Sequence, residues 1–146
     1  MATLAIVGLV ASSVLLMSPG ADSRLRSALE SMAARIDLAS DQSILMNRQL
    51  AFVTTREGYH FERLDEDGWR RIETIPALGF QPWPGGDAPS FDAADPSEAE
   101  EGAAHRLSRF DPLGGATPML LRFGTSEDGW RVQIDDQGAV HVERAS

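Results

Sequence analysis

Residues 1–17, Met-Ala-Thr-Leu-Ala-Ile-Val-Gly-Leu-Val-Ala-Ser-Ser-Val-Leu-Leu-Met, carry no ionisable side chain, and the first one in the chain is Asp22. At about 1.5 Å per residue, this run and its uncharged continuation to Ala21 would reach about 30 Å as a helix, the depth of one bilayer core. Its apolar residues are spread around the whole helical circumference, which suits lipid or close helix packing rather than one buried face. Small residues recur at Ala2, Ala5, Gly8, Ala11, Ser12 and Ser13, and Gly8 with Ser12 forms a small-xxx-small spacing that lets helices approach closely. The run is therefore read as a transmembrane or assembly helix over residues 1–21. Gly8, Ala11 and Ser12 are its packing positions, and Pro19 is a kink or restart because it removes one backbone hydrogen bond.

Three other uses of such a run compete with this one. A secretory signal peptide needs a basic start and a cleavage site, and no Lys or Arg precedes Arg24. A core helix is usually shorter, and a plain one-pass anchor fits equally well. Arg24 and Arg26 follow the run with nothing basic before it, so the positive-inside rule would place the C-terminal part in the cytoplasm. Residues missing in front of Met1 would remove that conflict.

The pattern changes at Asp22, where Asp22 or Ser23 is a candidate helix cap. Leu25, Leu29, Met32, Ile36 and Ala39 follow steps of three and four, while Arg24, Arg26, Glu30, Arg35, Asp37 and Asp41 take the other faces. This predicts an amphipathic helix to about Met46, with Asn47 as its C-cap. The period then drops to two. Residues 50–55, 59–64 and 69–72 read as a three-stranded antiparallel meander, its second turn marked by Asp67-Gly68. A second meander is expected over residues 118–123, 130–134 and 139–143, where Trp130, Val132 and Ile134 alternate. Between them, residues 87–104 are rich in Asp, Glu, Ala, Pro and Ser and are read as a mobile acidic loop. A helix followed by two meanders is α+β, a long N-terminal helix packed on antiparallel sheets, with residues 22–146 forming the head.

Composition limits the function classes. Net charge is −9 with no basic stripe, which argues against a nucleic-acid partner. The absence of cysteine removes thiol catalysis, thiolate metal sites and disulfides. His60, His105 and His141 are scattered and lack metal-ligand spacing, and no phosphate-binding glycine loop or Gly-x-Ser-x-Gly is present. Asp65, Glu66, Asp67, Asp135 and Asp136 sit where turn chemistry explains them, and the acids of residues 87–104 lack the spacing of a calcium loop. No catalytic residue, cofactor or metal site is assigned. Trp83, between Pro82 and Pro84 and next to a glycine pair, is the tryptophan expected to be exposed and to face a partner.

The plan of an apolar helix, an amphipathic continuation and a β-rich head resembles type IV pilins and pseudopilins. Leu4-Ala5-Ile6-Val7-Gly8-Leu9 is similar to the pilin helix after its Phe-Thr-Leu-x-Glu start. Residues 38–52, Gly58-Tyr59-His60-Phe61, Asp67-Gly68-Trp69, Thr117-Pro118-Met119-Leu120-Leu121-Arg122-Phe123, Trp130-Arg131-Val132 and Gly138-Ala139-Val140 resemble the GspH/FimT family. The resemblance implies a non-enzymatic minor pseudopilin of type II secretion near the tip of the pseudopilus, with other pseudopilins and the inner membrane as partners and the head in the periplasm. A minor type IV pilin of the FimT/FimU kind is the alternative, and a membrane-anchored periplasmic enzyme is less favoured. The glycine and Phe-Thr-Leu-x-Glu processed by a prepilin peptidase are absent, so the true start is expected upstream of Met1.

Overall fold

The apolar stripe read from the sequence forms one helix, α1 (Ala21–Met46), in a computed structural model that describes residues 20–93, 96–98, 104–125 and 127–145. Leu29, Met32, Ile36, Ala39 and Ser43 make its buried face, and each of the larger apolar side chains stabilises the fold by about 1.5–3 kcal/mol. The start differs from the expected one. Gly20 is the N-cap, in extended conformation and without a side-chain capping bond, so neither Asp22 nor Ser23 caps the helix. The end agrees with it. Asn47 is left-handed (φ 52, ψ 45), and the Asn47 and Arg48 amides donate to the Ile44 and Ser43 carbonyls.

Two antiparallel sheets receive the helix. The first has the order β3-β2-β1-β7-β6, with β4 also paired to β2. Its strands are β1 (Leu50–Thr54), β2 (Gly58–Asp65), β3 (Gly68–Arg71), β4 (Gln81–Pro82), β6 (Ser97–Glu98) and β7 (His105–Phe110). The second has the order β10-β9-β8-β5, from β5 (Ser90–Ala93), β8 (Met119–Phe123), β9 (Trp130–Ile134) and β10 (Val140–Arg144). Both expected meanders are present. In the β2–β3 hairpin Asp65 pairs with Gly68, whose φ of 114° suits a residue without Cβ.

The strip between the meanders departs from the expectation. Residues 87–104 include two short strands: β5 pairs with β8, and β6 pairs with β7. Phe91 lies opposite Leu121 and stacks against His105 at 5.7 Å between ring centroids. β7 joins the first sheet beside β1, with a register shift between Phe52 and Val53, and does not belong to the second meander.

A single core joins helix and sheets. Leu50, Phe52, Tyr59, Phe61, Leu107 and Phe110 from the first sheet meet Met119, Leu121, Phe123, Trp130, Val132 and Ile134 from the second, with the α1 stripe across both. Phe52 is at its centre, 5.4 Å from the Tyr59 ring and 5.5 Å from Phe61. Among the described residues no helix is long and apolar enough to cross a membrane, and the apolar run 1–17 lies outside them.

Truncating Phe52 leaves a cavity that its two aromatic neighbours, Tyr59 and Phe61, cannot fill. Phe52→Ala is expected to cost about 3–5 kcal/mol, read as a lower urea midpoint at unchanged m-value. Ser31→Ala on the exposed helix face should stay within about 0.5 kcal/mol of the parent.

Candidate interaction surface

An expected assembly site has to be judged by where the helix meets the head and what its free face offers. The first turn of α1 is held by Asp22. The Trp130 indole Nε1 donates to Asp22 Oδ1 at 3.1 Å, and the Arg144 guanidinium pairs with Oδ2 at 2.7 Å. Arg144 and Arg26 also lie over the Trp130 ring, at 5.3 and 6.0 Å from its centroid. The helix start, β9 and β10 are thus tied at one point. The Trp130 hydrogen bond, with Arg144 beside it, holds the Asp22 carboxyl below the usual aspartate range. An acid here also complements the positive end of the helix dipole. Sequence alone offered Asp22 as a cap, because its partners lie more than a hundred residues away.

Trp83 is not at the surface. It is 3% exposed, its ring 5.4 Å from Tyr59 and 6.0 Å from Phe123, so it bridges the two sheets. Its indole Nε1 donates to the Thr55 carbonyl at 2.8 Å. The cause is β4, whose Pro82 lies opposite Gly58. A Cβ at Gly58 would meet the Gln81 carbonyl oxygen, so the glycine is what lets this strand approach and turn Trp83 inward. The other assembly positions, Gly8, Ala11, Ser12 and Pro19, lie outside the described residues.

The face of the first sheet turned away from α1 is also closed. Ala51, Val53 and Ala104 are buried there with Trp69 packed against them. Within this layer Arg106 Nε donates to Glu62 Oε1 at 2.8 Å, His60 Nε2 lies 3.5 Å from Glu62 Oε2, and the Arg106 guanidinium sits 5.1 Å over Trp69. Burial alone would raise the Glu62 pKa, but the hydrogen bonds from His60 and Arg106 outweigh it and hold the group below its ordinary 4.5.

The turn acids do what turn acids do. Asp135 Oδ1 accepts from the Gln137 and Ala139 amides, and the Ala139 bond chiefly lowers its pKa. Arg63 holds Asp65 low in the same way. Clefts of about 190, 230 and 330 Å³ open beside Trp83 and Phe91, beside Arg122 and Arg131, and beside Arg109 and Asp136. Among the described residues no three His, Asp or Glu side chains gather to hold a metal.

Several large apolar side chains of the head are exposed. Ile44 is 50% exposed, Leu45 76% and Leu113 95%. Leu113 sits at the tip of a turn fixed by bonds from the Leu113 amide to Asp111 Oδ1 and from the Gly114 amide to the Asp111 carbonyl. That turn lies beside the end of α1, since Ser43 Oγ donates to the Asp111 carbonyl at 3.3 Å. The sequence reading did not single out these residues.

A helix laid by one stripe across two antiparallel sheets is the pseudopilin architecture, and solved structures share it. Two solved structures of the minor pseudopilin EpsH of the type II secretion system of Vibrio cholerae superimpose on this chain. One gives a TM-score of 0.68 at 16% identity, covering 87% of this chain and 98% of that one. The other gives 0.62 at 16% identity, covering 83% and 97%. The family description "Type II transport protein GspH" matches residues 28–138, and the chain belongs to the GspH family. No curated protein sequence matches it.

Two predictions follow from the charged contacts. The Glu62 pKa is lowered by folding, so its stabilisation is present above about pH 4.5 and is lost as pH falls through the folded value. Glu62→Gln should flatten the acid limb of stability against pH and cost about 1–3 kcal/mol at neutral pH, since the buried bond from Arg106 loses its charged acceptor; urea unfolding across pH checks both. Asp22→Ala should free the first turn of α1, seen as faster hydrogen exchange at residues 24–28 with the β1–β2 amides unchanged.

Proposed function

We propose that this chain is a non-enzymatic minor pseudopilin of a type II secretion pseudopilus, placed near its tip. The GspH family match over residues 28–138 carries the reading, and the fold shared with EpsH supports it. The type II description of that family favours this machine over a type IV pilus. In this reading residues 1–21 anchor the chain in the inner membrane, and residues 22–146 form a periplasmic head. A helix apolar on all sides exchanges lipid for neighbouring helices with little change in solvation. Gly8, Ala11 and Ser12 allow close approach during that exchange, and Pro19 lets the rod bend as it leaves the bilayer. A prepilin peptidase acts on the precursor, and the partners are the major and minor pseudopilins of the same fibre. The head supplies shape and contact rather than chemistry.

Expression of the full precursor beside its secretion machinery tests this. The chain is expected in the inner-membrane fraction, to co-purify with other pseudopilins, and to be required for export of the secreted substrates. A freely soluble chain that captures no pseudopilin, or undiminished secretion in its absence, overturns the reading.

A further inference from the structure

The outward face of the second sheet carries two arginines side by side. Arg122 of β8 lies opposite Arg131 of β9, and each alternates with core residues along its strand, so both point away from the core. Like charges directly opposite one another are unfavourable on a sheet. The flanking strands offset them only in part. Asp92 Oδ2 of β5 lies 2.7 Å from Arg122 Nη2, and Glu143 Oε1 of β10 lies 3.4 Å from Arg131 Nη2. Both acids are more than half exposed, and Arg131 Nε is buried without a hydrogen-bond partner among the described residues.

The cleft of about 230 Å³ is lined by both arginines and by the hydroxyl residues Ser90 and Thr125. Ser90 lies opposite Arg122. Thr125 Oγ1 accepts from the Asp128 amide at 3.2 Å and keeps its own hydrogen to donate. Two guanidinium groups and two hydroxyls around one hollow are the donor set that a phosphate needs.

The place of the cleft narrows the ligand. Trp130 and Ala145 complete its wall. Trp130 donates to Asp22, and Ala145 follows Arg144, which also pairs with Asp22. Asp22 is the first charged residue after the apolar run. With residues 1–21 in a bilayer, this end of the second sheet meets the headgroups, a level that suits tryptophan and arginine.

We propose that the cleft binds the headgroup of a zwitterionic phospholipid, a phosphodiester that carries a primary ammonium. The inference rests on the reading of residues 1–21 as an inner-membrane anchor. Arg122 and Arg131 take the phosphate oxygens, with Ser90 and Thr125 donating beside them. The ammonium falls to Asp92 and Glu143, each of which spends one carboxylate oxygen on its arginine and has the other left to accept. Two arginines against two acids give a site without net charge, which matches a zwitterion. A chain of net charge −9 draws no long-range attraction from an anionic surface, so recognition depends on the local pairing.

The full-length chain in nanodiscs made of equal parts phosphatidylethanolamine, phosphatidylcholine and phosphatidylglycerol tests this. The chain is released into a native mass spectrometer, and the lipid that stays bound is identified. Phosphatidylethanolamine is expected to be retained over each of the others by about threefold or more. Choline has no N–H to donate, and the glycerol headgroup has no ammonium. Arg122→Gln and Ser90→Asp, both at exposed positions, should each abolish the preference at an unchanged urea midpoint. Asp92→Asn should keep a bound phospholipid but shift retention toward phosphatidylglycerol. Leu113→Ser, in the turn beside the far end of α1, should change nothing. Equal retention of the three lipids, a preference for either of the other two, a preference that survives Arg122→Gln and Ser90→Asp, or displacement of the lipid by added inorganic phosphate overturns the proposal. If the chain enters the nanodiscs and retains no lipid by preference, the membrane reading survives that failure. If the chain does not enter them, the membrane reading fails as well.

Discussion

The head depends on one stripe of α1 serving two sheets at once. Leu29, Met32, Ile36 and Ala39 are fully buried, and the residues they cover come from both sheets. Neither sheet has a second α-helix among the described residues to close its inner face, and only the short 3-10 turn Pro76–Leu78 adds Leu78 beside α1. The sheets themselves are tied directly by the Trp83 bridge between Tyr59 and Phe123 and by bonds between β7 and the segment entering β8, the Ser108 hydroxyl donating to the Thr117 carbonyl and the Thr117 amide to the Arg109 carbonyl. Side-chain size along the stripe follows from this. Large residues fill the centre, whereas Ala39 and Ser43 let the helix end approach the turn at Asp111, where Ser43 Oγ finds a carbonyl. A helix so placed has no freedom to rotate, and its outer face is fixed with it.

What was legible in the sequence was local. The stripe of α1, the Asn47 cap and both meanders are set by period and by turn residues a few positions apart, and each has its expected place. Acidic composition hid β5 and β6, because their order comes from strands already present. Ser90–Ala93 pairs with β8, and Ser97–Glu98 pairs with β7. Short edge strands on a formed sheet need little apolar surface of their own. Trp83 was misread for a related reason. Two prolines suggest exposed chain, but Pro82 sits on a strand edge where a missing amide costs little, and the bare backbone of Gly58 makes room for it. Asp22 looked like a cap because its true partners, Trp130 and Arg144, are distant in sequence.

The buried charges on the far side of the first sheet raise a different point. Replacing a buried ion pair by well-packed apolar residues is often neutral or stabilising, so the Glu62–Arg106 pair is weak evidence for stability alone. Its geometry instead specifies register. Glu62 on β2 lies opposite Ala51 of β1, Arg106 on β7 lies opposite Val53 of β1, and Trp69 of β3 carries the guanidinium. A slip of one residue in β7 would turn Arg106 toward the apolar core and leave Glu62 without its partner. β7 already has a shift beside Phe52 and Val53, which makes it the strand most open to such an error. The pair therefore guards the strand whose hydrogen-bond ladder is least regular.

The same division of labour bears on assembly. The fully buried side chains of α1 begin at Leu29, and before it Leu25 packs half-buried against the core. At the helix start the ties are polar and largely exposed: Asp22 to Trp130 and Arg144, with Arg26 paired to Glu30. Such ties fix the direction in which the helix leaves the head, yet they involve little apolar burial. On the proposed reading, a subunit drawn from lipid into a fibre changes neighbours along residues 1–21. The fully buried residues of α1 lie at Leu29 and beyond, so that exchange leaves them in place. A fold that buried its early helix residues deeply would have to loosen that packing at each such transfer.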